Sequence, residues 1–241
     1  FYTFKDQVIF EKNEVLKDNG SPYVVFTPYM RKWKENLKKN YLVLENNELC
    51  NNFHNLDKYN LKEISEYGFE KNISEVINFD VSKKIIEEYE KKRNFPSLNS
   101  TSKIGPFLRF GVISIRSLVK YVLKFSNETF LNELIWREFF MQILFHFPNS
   151  STSSFKSKYD NIKWVNDKKM FEAWKNGKTG FPIVDAGMNE LNKTGFMHNR
   201  VRMITSSFLC KQLLIDWRWG EKYFALKLND YETVSYTHLT L

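Results

Sequence analysis

Along most of the chain, apolar positions recur at helical spacing between charged ones. From residue 73, ISEVINFDVSKKIIEEYEKKR places apolar residues at Val76, Ile77, Val81, Ile85, Ile86 and Tyr89, predicting a helix that Pro96 ends. Ser114 is the expected N-cap of IRSLVKYVLKF, and the next helix is expected over residues 128–147, stopped by Pro148. Pro182, a favoured first helical residue, opens a segment reaching about Asn192. After Gly195 another is expected over residues 196–216. Two β-branched and aromatic runs, residues 8–10 and 23–26, flank the turn-forming DNGSP and predict a hairpin-like pair of strands. Residues 30–72 are rich in Lys, Asn and Glu with scattered apolar positions, which reads as a solvated linker with short helices.

Composition narrows the class. Of 241 residues, 42% are hydrophobic, enough for one sizeable core and part of a second domain. Aromatic residues reach 17%, and rings in such number serve as core filling or as surfaces on which planar groups stack. A formal charge of +8, scattered along the chain, favours a polyanionic partner without identifying it, and nucleotide bias can also enrich Lys and Asn. Cys50 and Cys210 stand far apart with no metal-ligand spacing, so neither a disulfide framework nor a zinc site is indicated and a cytoplasmic location fits. No apolar run reaches the roughly 18 residues of a membrane span, and Phe1 opens no charged-then-apolar leader; a soluble chain with an internal start is expected.

On the helix expected over residues 128–147, Glu133, Trp136, Arg137 and Phe140 fall at i, i+3, i+4 and i+7 and share one face. Spacing alone makes Glu133 and Arg137 an ion pair and Trp136 a core residue. In TSKIG, Thr101 and Ser102 put two hydroxyls and free amides before a helix start, which suits a pyrophosphate and equally a plain N-cap. Trp164 in NIKWVND and Trp217 in LLIDWRW read on their own as ordinary packed aromatics. His198 has no carboxylate or second His at useful spacing and is expected to be a structural hydrogen-bonder. The sequence holds no dinucleotide glycine fingerprint, nucleophile triad or metal cluster.

Two longer runs go beyond spacing. LNELIWREF and TGFPIVDAGMNELNKTGFMHNRVRMITSSFLCKQLLIDWRWGEKYF resemble the DNA photolyase/cryptochrome family nearly letter for letter, and within it the class I cyclobutane pyrimidine dimer photolyases. The resemblance extends from about Phe4 to Glu232, loose before Tyr89 and dense after Thr101. It implies a mainly α fold, with a helical FAD-binding and DNA-binding domain over residues 72–232. Residues 1–29 would be a short β remnant of a Rossmann-like α/β antenna domain and residues 30–71 an interdomain linker. The family's U-shaped FAD implies contacts from Tyr89, Thr101, Ser102, Lys103, Ile104, Gly105, Phe130, Arg137, Asn199, Arg202, Asp230, Tyr231 and Glu232. Gly105 stands where the family usually has Ser, and Phe130 where it has Trp. The first change removes a hydroxyl but keeps an amide; the second keeps a stacking face and loses an indole donor.

By the same resemblance Glu133 hydrogen-bonds the bases of the lesion and Trp136 stacks on it once it is flipped out. Phe140, Asn199, Arg200 and Met203 line the same cavity or grip the adjacent phosphate. Glu133 and Asn199 are the expected catalytic groups, with Trp164 and Trp217 as the outer and middle members of a tryptophan chain that reduces the flavin. The implied activity is light-driven repair of cyclobutane pyrimidine dimers, by electron transfer from excited reduced FAD to a dimer in damaged DNA, by a monomer with no membrane attachment. MHNRVRM separates subfamilies: six-four photolyases and animal cryptochromes resemble HHLARH there and DASH cryptochromes NRGRQ, so Asn199 and Met203 point to dimer repair. A flavin photoreceptor without repair activity and an inert fragment are the alternatives. An antenna chromophore of folate or deazaflavin type is expected in the longer protein, its site largely missing here. The sequence reads as broken off at both ends, and VSYTHLTL resembles a translated sequencing adapter, so residues 233–241 read as an artefact.

Overall fold

Asn127 starts the helix around which the first half of the molecule is built. Its Oδ1 accepts from the Thr129 amide (2.9 Å), capping α5 (Glu128–His146), while its Nδ2 donates to the Ile86 carbonyl (2.7 Å) of α2 (Lys83–Lys92). Ser114 caps α4 (Ile115–Val122) as expected, accepting from the Ser117 amide. Among the residues that the computed structural model describes, 5–39, 62–70 and 77–231, there are nine α-helices and no strands. The first core joins α1 (Phe26–Lys39), α2, α3 (Gly105–Arg109), α4 and α5 with residues 9–15. The second joins α6 (Lys168–Lys175), α7 (Pro182–Thr194), α8 (Asn199–Lys211) and α9 (Trp217–Lys227) around the fully buried Trp174, whose Nε1 donates to the Thr205 carbonyl (3.1 Å). Pro182 opens α7, and Gly195, at φ 68, closes it in the left-handed conformation that glycine takes without strain.

The strands expected at residues 8–10 and 23–26 do not form; the backbone there finds other partners. Side chains of α4 and α5 hold residues 6–12 along their length. Arg116 donates to the carbonyls of Asp6 and Val8 (3.1 and 3.2 Å), Arg137 to Gln7 (2.7 Å) and Gln142 to Phe10 (3.2 Å). Glu138 accepts from the amides of Ile9 (2.6 Å) and Phe10 (3.1 Å), and His146 Nε2 lies 2.8 Å from the Lys12 carbonyl. Leu16 and Pro22 make a single antiparallel bridge.

Phe26 begins a helix instead of ending a strand. Phe26, Tyr29, Met30, Trp33 and Leu37 repeat at helical spacing and pack on the first core, and Pro28 lies in the first turn, where its missing amide costs nothing. α1 therefore crosses the boundary expected between residues 29 and 30, and the supposed linker is helical to Lys39; its remainder up to residue 61 lies outside the described residues.

Two expected helices are shorter than their patterns. α2 starts only at Lys83, because Asp80 Oδ1 takes the Ser82 amide (2.7 Å) and the Asp80 amide goes to the Ser102 carbonyl (2.9 Å), a local alternative to helical bonding. Residues 71–76 are outside the described set. The helix expected over residues 196–216 is instead α8 followed by a turn with Leu214 at φ 50, and Asp216 then caps α9 by accepting from the Arg218 amide. His198 is the N-cap of α8, its Nδ1 accepting from the Arg200 amide (3.2 Å), the structural role expected of it. Among the described residues no helix is long and apolar enough to cross a membrane.

Candidate functional site

Charged and aromatic side chains gather where the two cores meet. On α5, Glu133 pairs with Arg93, at the end of α2, rather than forming the local pair its spacing with Arg137 predicts. Arg93 also lies over the Tyr89 ring (5.4 Å), and Tyr89 meets the buried Phe130 edge-on at 5.1 Å. Burial first, and then the Glu133 charge, push the Tyr89 phenol up to about 12, so it stays a neutral donor at physiological pH. Half-buried Trp136 stacks on Phe26, with centroids 3.6 Å and planes 6° apart, and lies 5.2 Å from Phe140.

From the second core, the first turn of α8 supplies Asn199, Arg200, Arg202 and Met203. Arg200 Nε donates to Asn94 Oδ1 (2.7 Å) beside Arg93, and its Nη1 lies 3.4 Å from the Met203 sulfur, which joins α8 to the Glu133 group. Arg202 pairs with Asp230 (2.9 Å), both largely buried, and donates to the Met197 carbonyl (2.6 Å). Burial, and after it Arg200 and Arg202, hold the His198 imidazole below its ordinary pKa, so the cap is neutral at pH 7.

The TSKIG loop reaches the same place. Lys103, at φ 51, sets its ammonium 5.8 Å from the Phe196 ring, which Arg202 also approaches at 5.8 Å. Ser102 and Ile104 are buried, and Arg109 of the following helix donates to the Tyr231 carbonyl (3.1 Å). A Cβ at Gly105 would lie 2.7 Å from Asp230 Oδ2, so Asp230 fills the space that the usual serine would need. Gly105→Ala should displace Asp230 from Arg202 and cost about 1 kcal/mol, measured as a lowered denaturation midpoint; an unchanged midpoint would show that Asp230 yields freely.

Trp164 and Trp217 lie on adjoining segments. The Val165 amide donates to the Leu214 carbonyl (2.8 Å) and the Asp216 amide to Asn166 Oδ1 (2.8 Å); Trp217 is buried and Trp164 partly so. Arg137, the remaining expected flavin contact on α5, is turned to the N-terminal segment, where with Arg116, Asp6 and Gln7 it lines a cavity of about 130 Å³. Glu232 lies outside the described residues, as do residues 233–241. No group of three metal-ligating side chains occurs among the described residues.

One carboxylate in this helix went unnoticed in the sequence. Glu138 is almost wholly buried and accepts from four donors: the Ile9 and Phe10 amides, Trp33 Nε1 (2.8 Å) and Tyr29 Oη (3.4 Å). The signal was present, since Glu138 stands among Leu131, Leu134, Ile135, Phe139 and Gln142 on the buried stripe of α5, where an acid needs donors.

Two helical cores meeting across a seam of cations, a buried carboxylate and aromatic rings define a helical domain with the means to bind an anionic, ring-bearing ligand. Residues 130–239 match the family described as the FAD binding domain of DNA photolyase. The deoxyribodipyrimidine photo-lyase of Alkalihalophilus pseudofirmus is 40% identical over an alignment covering 98% of this chain and 53% of that protein; the Buchnera aphidicola enzyme is 37% identical over 94% and 51%. A class III photolyase structure from Agrobacterium tumefaciens superposes with a TM-score of 0.79 at 30% identity, covering 98% of this chain and 54% of that one. A Synechocystis cryptochrome gives 0.59 at 36% identity, over 64% and 34%. The chain belongs to the DNA photolyase/cryptochrome family. It spans about half the length of the curated relatives it matches.

Proposed function

We propose that this chain is the FAD-holding and lesion-binding part of an enzyme that repairs cyclobutane pyrimidine dimers in DNA under blue light. The observation that carries the reading is the joining of α5 and α8 through Glu133, Arg93, Asn94 and Arg200, which sets a carboxylate, a half-buried indole and a cation around one place. Such a set suits a flipped-out base pair: Glu133 accepts from base edges, Trp136 and Phe140 stack, Met203 and Asn199 border the bases, and Arg200 meets the neighbouring phosphate. The wholly sequence-independent phosphate contact makes affinity salt-dependent.

The residues present fit FAD. Asp230 Oδ1 is buried without a hydrogen-bond partner among the described residues, beside Arg202 and packed over Gly105, a polar atom in need of a donor. Lys103 and Arg202 bring positive charge, Thr101 and Ser102 bring hydroxyls for a pyrophosphate, and Tyr89 and Phe130 bring ring edges. Asn199, Ile104, Tyr231 and Glu232 complete the proposed contacts. Bound and reduced, FAD supplies the electron that opens the dimer in light. Trp164 and Trp217 are proposed to carry electrons toward it, and Trp217→Phe should slow light-driven reduction of bound FAD without changing its dark affinity, followed by flavin absorbance. Damaged DNA is the proposed partner, met by a cytoplasmic monomer, with residues 72–232 as the FAD and DNA domain. A folate or deazaflavin antenna belongs to the longer protein.

A cryptochrome-like photoreceptor is the second reading, favoured by the likeness to the Synechocystis cryptochrome. The assay that separates them incubates the flavin-loaded protein with a dimer-bearing oligonucleotide in blue light and in darkness. Repair confined to light supports the enzyme; bound FAD with no repair, or repair in the dark, overturns it.

A further inference from the structure

Trp136 does not stand alone on its helix. One face of the indole is fully stacked on Phe26, 3.6 Å between centroids with planes 6° apart, and Phe139 meets it edge-on at 5.6 Å. Phe26 is itself held: it opens α1, packs on Phe139 at 5.8 Å, and stands one turn before Tyr29 and two before Trp33. Both of those residues are buried and donate to Glu138 of α5, so α1 is tied to the helix that carries Trp136. An indole free to change rotamer must lose that freedom before a planar ring can stack on it, whereas one already clamped presents its remaining face at a fixed angle.

We propose that Phe26 is a positioning residue for Trp136, backing the indole so that its opposite face is ready for the flipped-out base. This rests on the reading of Trp136 as the lesion-stacking ring. A cover that leaves when substrate arrives would suit a loosely attached segment; Phe26 instead belongs to the stripe that packs α1 on the first core.

The test uses two variants of the flavin-loaded chain: Phe26→Leu, which fills the volume without a ring, and Phe26→Tyr, which keeps one. Phe26→Leu should lose about three- to tenfold in affinity for an oligonucleotide carrying one thymine dimer, the size of an aromatic pair contribution, with affinity for undamaged DNA unchanged; Phe26→Tyr should restore it. Acrylamide quenching of the Trp136 emission, taken as the difference from the same variant carrying Trp136→Phe, should rise in Phe26→Leu and return in Phe26→Tyr, without DNA. Unchanged quenching overturns the role. So does an unchanged or raised lesion affinity, the raised one making Phe26 a cover, and so does an equal loss on damaged and undamaged DNA. If the wild-type chain itself does not prefer damaged DNA, the repair reading fails, and quenching alone then decides whether Phe26 positions Trp136.

Discussion

Glu138→Ala is expected to destabilise the chain by about 3–5 kcal/mol, because several buried neutral donors lose their acceptor at once and each such loss costs about 1–3 kcal/mol. Four donors converge on this carboxylate from residues 9–10 and from α1, and alanine leaves all of them buried without an acceptor. By contrast Glu133→Ala breaks a single, partly buried pair with Arg93 and should cost less, about 1–2 kcal/mol. Urea denaturation of the two variants checks the order; a loss at Glu138 no larger than at Glu133 would show that the N-terminal segment is not anchored there.

The same residue gives stability a pH dependence of known sign. Burial pushes the Glu138 carboxyl up to about 7, its four hydrogen bonds pulling the other way. In the folded chain it therefore holds a proton between pH about 4.5 and about 7 that the unfolded chain has released. Its contribution is complete below about 4.5 and is lost as pH rises through about 7, by about 3 kcal/mol. Glu138→Gln cannot titrate and should flatten this part of the stability curve, measured as denaturation midpoints across that window; a slope equal to the wild type's would assign it to other groups.

Trp136→Ala should weaken binding of dimer-bearing DNA by about tenfold or more, as removal of a base-stacking ring costs about 1–3 kcal/mol per base. Affinity for undamaged DNA, set by phosphate contacts such as that proposed for Arg200, should change little. Competition binding in darkness separates the two, and equal losses on both DNAs would make Trp136 a purely structural residue.

Much of this was legible along the chain. α5 appears within a residue of its expected end because Asn127 and Pro148 act locally, and Ser114, Pro182 and Gly195 likewise act on neighbours a few residues away. Residues 23–26 were misread because aromatic and β-branched composition suggests a strand, although the helical repeat from Phe26 to Leu37 was the better signal. Arg137 shares a helical face with Glu133, yet Arg137 donates to Gln7 of the N-terminal segment while Glu133 pairs with Arg93 at the end of α2. Spacing sees one helix and not what packs against it.

What the sequence by itself determined is the presence of α2, α4, α5 and α7, several of their caps and stops, and, through long matching runs, the photolyase/cryptochrome family. Tertiary structure alone decided that Glu138 anchors residues 9–10, that Glu133 pairs with Arg93, that Asp230 fills the space above Gly105, and that Phe26 backs Trp136. The division is physical. Caps and periodicity act within a few residues and are written in local order, whereas the partner of a buried polar or aromatic group is chosen by whichever element packing brings alongside it, here across as many as 132 residues of chain, from Gln142 to Phe10.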